Sequence, residues 1–158
     1  MNAIPIVIAR AGLDEPVGRQ LIAALNEELS AAYPEPGATH FTLAPAEVSG
    51  DRGAFLVIYR AGVPVGCGAV RRLDADTGEL KRMYVAPAFR GQGLGHRLID
   101  ALEAEARALG IRRLMLETGI RQVAAQALYR SRGFVTIPHY GEYRLSAATS
   151  ICLGKELP

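Results

Sequence analysis

The sequence predicts a three-layer α/β fold on a mixed sheet of about seven strands flanked by about four helices. Three observations predict it. Short apolar runs alternate with helical patterns in the order β-α-(α)-β-β-β-α-β-α-β-β. Three consecutive strands in the middle of the chain are joined by short turns and read as an antiparallel meander. Residues 79–109 then run strand, glycine-rich turn, amphipathic helix, and another strand follows; a helical crossover makes the strands on either side of it parallel.

Taken in order, residues 4–9 are a short apolar run and the first strand. Asp14-Glu15-Pro16 is a helix start, a capping carboxylate with proline in the first turn. Leu21, Ile22, Leu25, Leu29 and Tyr33 mark that helix's buried stripe, and Tyr33-Pro34-Glu35-Pro36-Gly37 stops it. Residues 38–53 read as a connection with a short helix near 45–48; a connection of this length either covers a site or is a solvated linker. Residues 55–59 and 63–73 are strands around the Ala61-Gly62 turn, and 74–78 turns into the central strand, 79–85. Cys67 reads as a buried thiol packed as a small hydrophobe rather than a nucleophile. After the glycine turn, Leu94, Leu98, Leu102 and Leu109, with Ala101 and Ala106, form one helix face; Arg97, Asp100, Glu103 and Arg107 form the other. Residues 113–118 are a strand, and 121–132 a helix with Ala124, Ala127 and Leu128 on its inner side. Gly133 ends that helix, 134–137 begins a strand, 138–141 is a turn, and 150–153 supplies the last strand.

Whole-chain quantities narrow the function classes. At 158 residues the chain is most simply one domain, 1–158, with a substantial core. A hydrophobic content of 49% and a charged content of 22% are ordinary for a soluble globular protein. A net charge of +2, with no Lys/Arg block, argues against a nucleic-acid partner. No apolar run approaches the roughly 18 residues of a membrane span, and no signal-peptide pattern opens the chain. Cys67 and Cys152 lie far apart with no thiol at metal-ligand spacing, and His40, His96 and His139 are lone histidines. The expectation is a cytoplasmic protein with no metal.

The glycine turn is the chemical feature. The first N–H groups of a helix lack internal partners and face outward beside the positive end of the helix dipole. Glycines there let an anion approach the backbone, and Arg90 adds a permanent positive charge. Such a site prefers a phosphate, and better a diphosphate. A P-loop would need Lys and then Ser or Thr where His96 and Arg97 stand, and a dinucleotide fingerprint would need its third glycine at His96. What fits is Arg-x-x-Gly-x-Gly, met by Arg90, Gly93 and Gly95 directly after a strand.

That pattern resembles the acetyl-CoA pyrophosphate loop of the GNAT superfamily of N-acetyltransferases. The resemblance extends over nearly the whole chain. Glu79-Leu80-Lys81-Arg82-Met83-Tyr84-Val85 looks like the family's central strand, and Leu116-Glu117-Thr118-Gly119 like the strand that splays from it. Ala127-Leu128-Tyr129 with Gly133-Phe134 resembles the next helix and its tyrosine, and Tyr140-Gly141-Glu142-Tyr143 to Ser150-Ile151-Cys152 is similar to a bacterial subgroup acting on small substrates.

The resemblance implies a GNAT-type fold with splayed parallel central strands, and acetyl-CoA as acetyl donor. Implied cofactor contacts are the backbone of Met83, Tyr84 and Val85 for the pantetheine arm, and Arg90, Gly91, Gln92, Gly93, Leu94, Gly95 and His96 for the diphosphate. Gln122 stands where many members carry Asn at the cofactor. A lysine-like amine is only about one part in a few thousand free base at neutral pH, so a base helps. Glu79 stands at a base position of several members, on the strand face shared with Lys81 and Met83, with a surface pair to Lys81 as the plain alternative. Tyr129 matches the tyrosine that returns a proton to the CoA thiolate, with a core tyrosine as its alternative. Tyr140, Tyr143 and Arg144 are candidates for the acceptor pocket, and Arg71 and Arg121 for pairing with an acidic acceptor. The implied activity is acetyl transfer to a primary amine of a small molecule, amino acid or peptide, by direct transfer in a ternary complex. The other class is an acyl-CoA-binding module without catalysis. A homodimer is the assembly the resemblance implies.

Overall fold

A computed structural model describes residues 3–36 and 42–158. His40 and Gly37 lie outside the described residues. The strands are β1 (Ile6–Arg10), β2 (Gly53–Arg60), β3 (Val63–Arg72), β4 (Thr77–Val85), β5 (Arg113–Gly119), β6 (Val135–Ile137) and β7 (Ser150–Glu156). The α-helices are α1 (Pro16–Ala32), α2 (Leu94–Ala108) and α3 (Val123–Ser131). The short helix expected near 45–48 is a 3-10 turn, Pro45–Val48, and two further 3-10 turns span Pro87–Phe89 and Gly141–Ser146.

The seven strands form one sheet in the order β1-β2-β3-β4-β5-β7-β6. Its pairs are antiparallel except β4 with β5, the two strands joined by the α2 crossover. Alternation sends Ala54, Leu56, Val70 and Leu80 to one face, where Leu98, Ile99 and Leu102 of α2 and Tyr129 of α3 cover them. Phe55, Val57, Cys67 and Ala69 project to the other face against Leu21 of α1 and Val48. Both faces are covered, which gives the three layers.

Two departures from regularity shape the centre of the sheet. The β4–β5 ladder runs only from Thr77↔Arg113 to Leu80↔Leu116, although β4 continues to Val85 and β5 to Gly119. The strands part beyond it. In addition, Cys67 faces Tyr84 while Ala69 faces Lys81, so β4 carries one extra residue, and Arg82 has φ of 57°. This β-bulge inverts the side-chain parity of the rest of the strand. Met83 joins the α2-side cluster and Tyr84 the α1-side cluster. The expectation that Met83 shares a face with Glu79 and Lys81 is corrected by that inversion.

Other local expectations also shift. The N-cap of α1 is Glu15, which makes no side-chain cap bond; Pro16, with φ preset for the first turn, opens the helix instead. Glu103, placed on the polar face of α2, is 6% exposed because Lys155 of β7 reaches it at 2.6 Å. In α3 the inner side is Ala125, Leu128 and Tyr129; Ala124 and Ala127 are exposed, since the helix starts at Val123 and its stripe is turned by one position. Among the described residues no helix is long and apolar enough to cross a membrane.

Candidate active site

A cleft of about 120 Å³ opens where β4 and β5 part. Each strand keeps its outer neighbour, β3 and β7, so the inner edges of residues 81–85 and 117–119 face the gap. Because the gap cuts through the sheet, groups from both faces reach it. Tyr129 of α3 comes from the α2 side, and Glu117 of β5 from the side of α1 and the 141–146 turn.

Tyr129 is 5% exposed and set edge-on to Phe134, with ring centroids 5.9 Å apart. Burial, with the nearby Glu117 charge adding to it, raises its pKa above the ordinary tyrosine value. The hydroxyl is therefore protonated at neutral pH and able to donate. Gln122, the N-cap of α3, also lines the cleft, and its carbonyl accepts from Gln126 N at 3.0 Å.

Glu79 does not open on the cleft. Its side chain is 0% exposed and accepts from Arg71 Nε at 2.7 Å and Tyr140 Oη at 2.5 Å, with a further hydrogen bond from Tyr143. Burial and the Glu79 charge raise the pKa of both tyrosines, which keeps them as donors. Arg71 also holds Glu47 at 2.5 Å, and Arg121 is paired with Glu35 while lying over the Tyr33 ring. Both arginines proposed for an acidic acceptor are thus bound to carboxylates of their own chain. Lys81, 6% exposed, donates to Thr42 O at 3.0 Å and lies 3.8 Å from Glu142 and 4.0 Å from Glu79. Burial lowers its pKa, and Glu79 opposes that shift. Tyr143 lines the cleft; Arg144 is exposed.

The carboxylate that does line the cleft is Glu117. It accepts from Ser150 Oγ at 2.5 Å, and Ser150 is joined to Ser146 at 2.9 Å. Burial raises its pKa above the usual carboxylate value, while the Ser150 bond and Lys81 pull it down. Sequence reasoning passed over this residue. Its signal was a lone acid alternating with Met115 and Gly119 on a strand whose other face, Leu114 and Leu116, is core.

At the far end of β4 the chain turns into α2. Gly91 and Gly93 have φ of 79° and 78°, and Gly93 is the N-cap. These glycines supply a left-handed backbone that other residues adopt at a cost. Gly95 has a different task, since a Cβ there would lie 2.8 Å from Leu128, so its smallness sets the approach of α3 to α2. The first α2 acceptor, Gly93 O, is taken by Arg97 N, and the amides of Leu94, Gly95 and His96 precede it. The Leu94 side chain packs with Ile58 and Val65, so only its backbone faces the turn. His96 is bonded to Ser131 Oγ at 2.9 Å, and Gln92 is exposed. Arg90 lies back along the turn, with Nε on Val85 O at 2.8 Å and Nη2 on Glu28 at 2.7 Å. His139 is bonded to Ser150 O at 2.6 Å.

Residues 19–134 match the model of the acetyltransferase (GNAT) family. An IAA acetyltransferase of Azospirillum brasilense is 39% identical over 143 residues, which cover 87% of this chain and 90% of the relative. The crystal structure of a candidate acyl-CoA N-acyltransferase from Klebsiella pneumoniae superposes with a TM-score of 0.81 at 34% identity, covering 97% of this chain and 98% of that one. An N-acetylglutamate synthase from Neisseria gonorrhoeae, complexed with coenzyme A and N-acetyl-glutamate, shares the fold with a TM-score of 0.74 at 24% identity, over 99% of this chain and 36% of that one. The chain therefore belongs to the GNAT family of acetyltransferases.

Proposed function

We propose that the protein is an acetyl-CoA-dependent N-acetyltransferase that moves the acetyl group directly to a primary amine in a ternary complex. The observation that carries this reading is the parting of β4 from β5 after Leu80↔Leu116, immediately before a left-handed glycine turn into α2. A thioester lying in that gap meets unpaired strand edge, the buried Tyr129 hydroxyl and the half-buried Glu117 carboxylate together. The coenzyme A and acetyl-CoA found in structures of the same fold support the choice of donor.

In this reading the amides of residues 91–96, with Arg90 redirected from Glu28, take the diphosphate. The β4 edge at Met83, Tyr84 and Val85 pairs with the pantetheine arm, and Gln122 caps the cleft beside it. A β4 amide polarises the acetyl carbonyl. Glu117, rather than the enclosed Glu79, takes the proton that frees the amine, directly or through a water. The amine nitrogen bonds to the carbonyl carbon, the carbon–sulfur bond breaks, and Tyr129 gives its proton to the leaving thiolate. Of the two protons shed by the ammonium, one leaves through Glu117 to solvent and the other restores Tyr129. Glu79 acts as a positioning residue, fixing Tyr140 and Tyr143 beside the acceptor.

The test is release of CoA thiol from acetyl-CoA in the presence of a panel of primary amines, with the acetylated product identified by mass. Release that depends on the amine, and its loss by about 100-fold or more in Tyr129→Phe, is the expected result. Tight acetyl-CoA binding with no release across the panel would instead favour a non-catalytic acyl-CoA-binding module.

A further inference from the structure

The sequence is nearly without lysine: of its 18 lysine and arginine side chains, only Lys81 and Lys155 are lysines. Lys155 sits on β7, away from the cleft, with Glu103 at 2.6 Å. Lys81 lines the cleft, at its closed end. The β4–β5 ladder stops at Leu80↔Leu116, so Lys81 and Glu117 are the next residues of the two strands and the first to face each other across the gap. Leu80 and Leu116 project toward α2, and alternation sends Lys81 and Glu117 to the opposite side, toward the 141–146 turn. Lys81 is 6% exposed and donates from Nζ to Thr42 O at 3.0 Å, a bond that a neutral amine makes as well as an ammonium. Glu142 and Glu79 stand 3.8 and 4.0 Å away, longer than a hydrogen bond. Burial lowers the Lys81 pKa from the ordinary lysine value; Glu79 and Glu142 oppose the shift, and Arg71 and Arg82 add to it. More of this amine is therefore unprotonated at neutral pH than of an exposed lysine.

We infer that Lys81 is a self-acetylation site: when acetyl-CoA occupies the cleft and no acceptor amine does, the Lys81 amine takes the acetyl group; this rests on the N-acetyltransferase reading above. Arginine, the cation this chain uses nearly everywhere else, stays protonated, whereas a lysine amine becomes a nucleophile once it has lost a proton. The flexible four-carbon stem lets Nζ leave Thr42 O for the gap. The Nζ lone pair bonds to the carbonyl carbon, and the carbon–sulfur bond breaks with its electron pair on sulfur. Tyr129 protonates that thiolate. Of the two protons shed by the Lys81 ammonium, one leaves through Glu117 to solvent and the other restores Tyr129. The products are coenzyme A and an acetamide at Lys81.

The experiment incubates the protein with acetyl-CoA and no amine, follows thiol release, and maps acetyl groups by mass spectrometry of the intact chain and its peptides. The expected result is a burst of one thiol per chain that then stops, with the acetyl group on Lys81 and Lys155 unmodified. Tyr129→Phe should slow the labelling by about 100-fold, and an amine that the panel shows to be turned over should suppress it at saturation. Lys81→Arg, its folding checked by a thermal melt, should show no burst. Labelling of Lys155 as fast as Lys81, or labelling at an unchanged rate in Tyr129→Phe, would mark uncatalysed acetylation by the free thioester and overturn the inference. Amine-dependent thiol release with Lys81 left unmodified would also overturn it, while the transferase reading stands. Absence of both thiol release with every amine and labelling of Lys81 would overturn that reading, and this inference with it.

Discussion

At Glu117, burial opposes the charged form while the Ser150 hydroxyl at 2.5 Å supports it, and burial prevails. A carboxylate with a raised pKa is a better base near neutrality than an exposed one, but it must be ionised to act. Activity should therefore rise with pH through the raised pKa of Glu117. Glu117→Gln should lower kcat by about 100-fold and remove that acidic limb from the pH–rate profile. Stability should move the other way. A group whose folded pKa is raised favours folding below its unfolded value and loses that contribution as pH climbs through the folded one. Glu117→Gln should thus melt higher than wild type at pH 8 and close to it at pH 4, as scanning calorimetry would show. Glu79→Gln makes the contrast. It removes a fully buried carboxylate from its pair with Arg71, whose side chain keeps 22% exposure, and should cost about 2–4 kcal/mol while leaving the acidic limb in place. A limb lost in Glu79→Gln but kept in Glu117→Gln would return the base to Glu79.

Among the elements, the turn into α2 and the bulge in β4 shape the proposed site, and they were unequally legible in the sequence. Gly91 and Gly93 announce a tight strand-to-helix entry, because few residues other than glycine hold a φ near 78°. Gly93→Ala should lose about 1–2 kcal/mol in chemical denaturation and, by tilting the first α2 amides, weaken coenzyme A binding about tenfold in calorimetry. Gly50→Ala, at a φ of 60° remote from the cleft, is the control: similar destabilisation with unchanged affinity. The bulge gave no such signal. Lys81-Arg82-Met83 reads as ordinary alternation, and arginine is not a residue that advertises a left-handed backbone. From that point the expected face of Met83 is reversed, and Arg82 turns to the α1 side, where it lines the cleft. Glu103 and Glu117 were missed for a related reason. What buries them, Lys155 of β7 for the one and Ser150 with the 141–146 turn for the other, lies far along the chain and enters only through sheet order.

Across the whole molecule, the cleft divides the sheet into β1–β4 and β5–β7, which meet in a parallel ladder spanning only Thr77–Leu80. The α2 crossover and its core cluster hold the halves together on one face; on the other, Arg121 N donates to Tyr33 Oη at 2.8 Å and ties β5 to the end of α1. A pantetheine arm lying between β4 and β5 would add hydrogen bonds where the ladder stops, whereas an adenosine diphosphate fragment would touch only the turn into α2. Ligand binding stabilises the folded state by about 2.7 kcal/mol at a concentration 100 times the dissociation constant. For a chain of this size that corresponds to a rise in Tm of about 5–10 °C. Acetyl-CoA and adenosine 5′-diphosphate, each at 100 times its own dissociation constant, should then raise Tm about equally, because mass action alone sets the shift. Hydrogen exchange should separate them. Only acetyl-CoA should slow exchange of the amides at the parted ends of β4 and β5, while both ligands slow those of residues 91–96. Protection confined to the turn with either ligand would mean that the arm does not enter the gap, and the thioester would then lie out of reach of Glu117 and Tyr129.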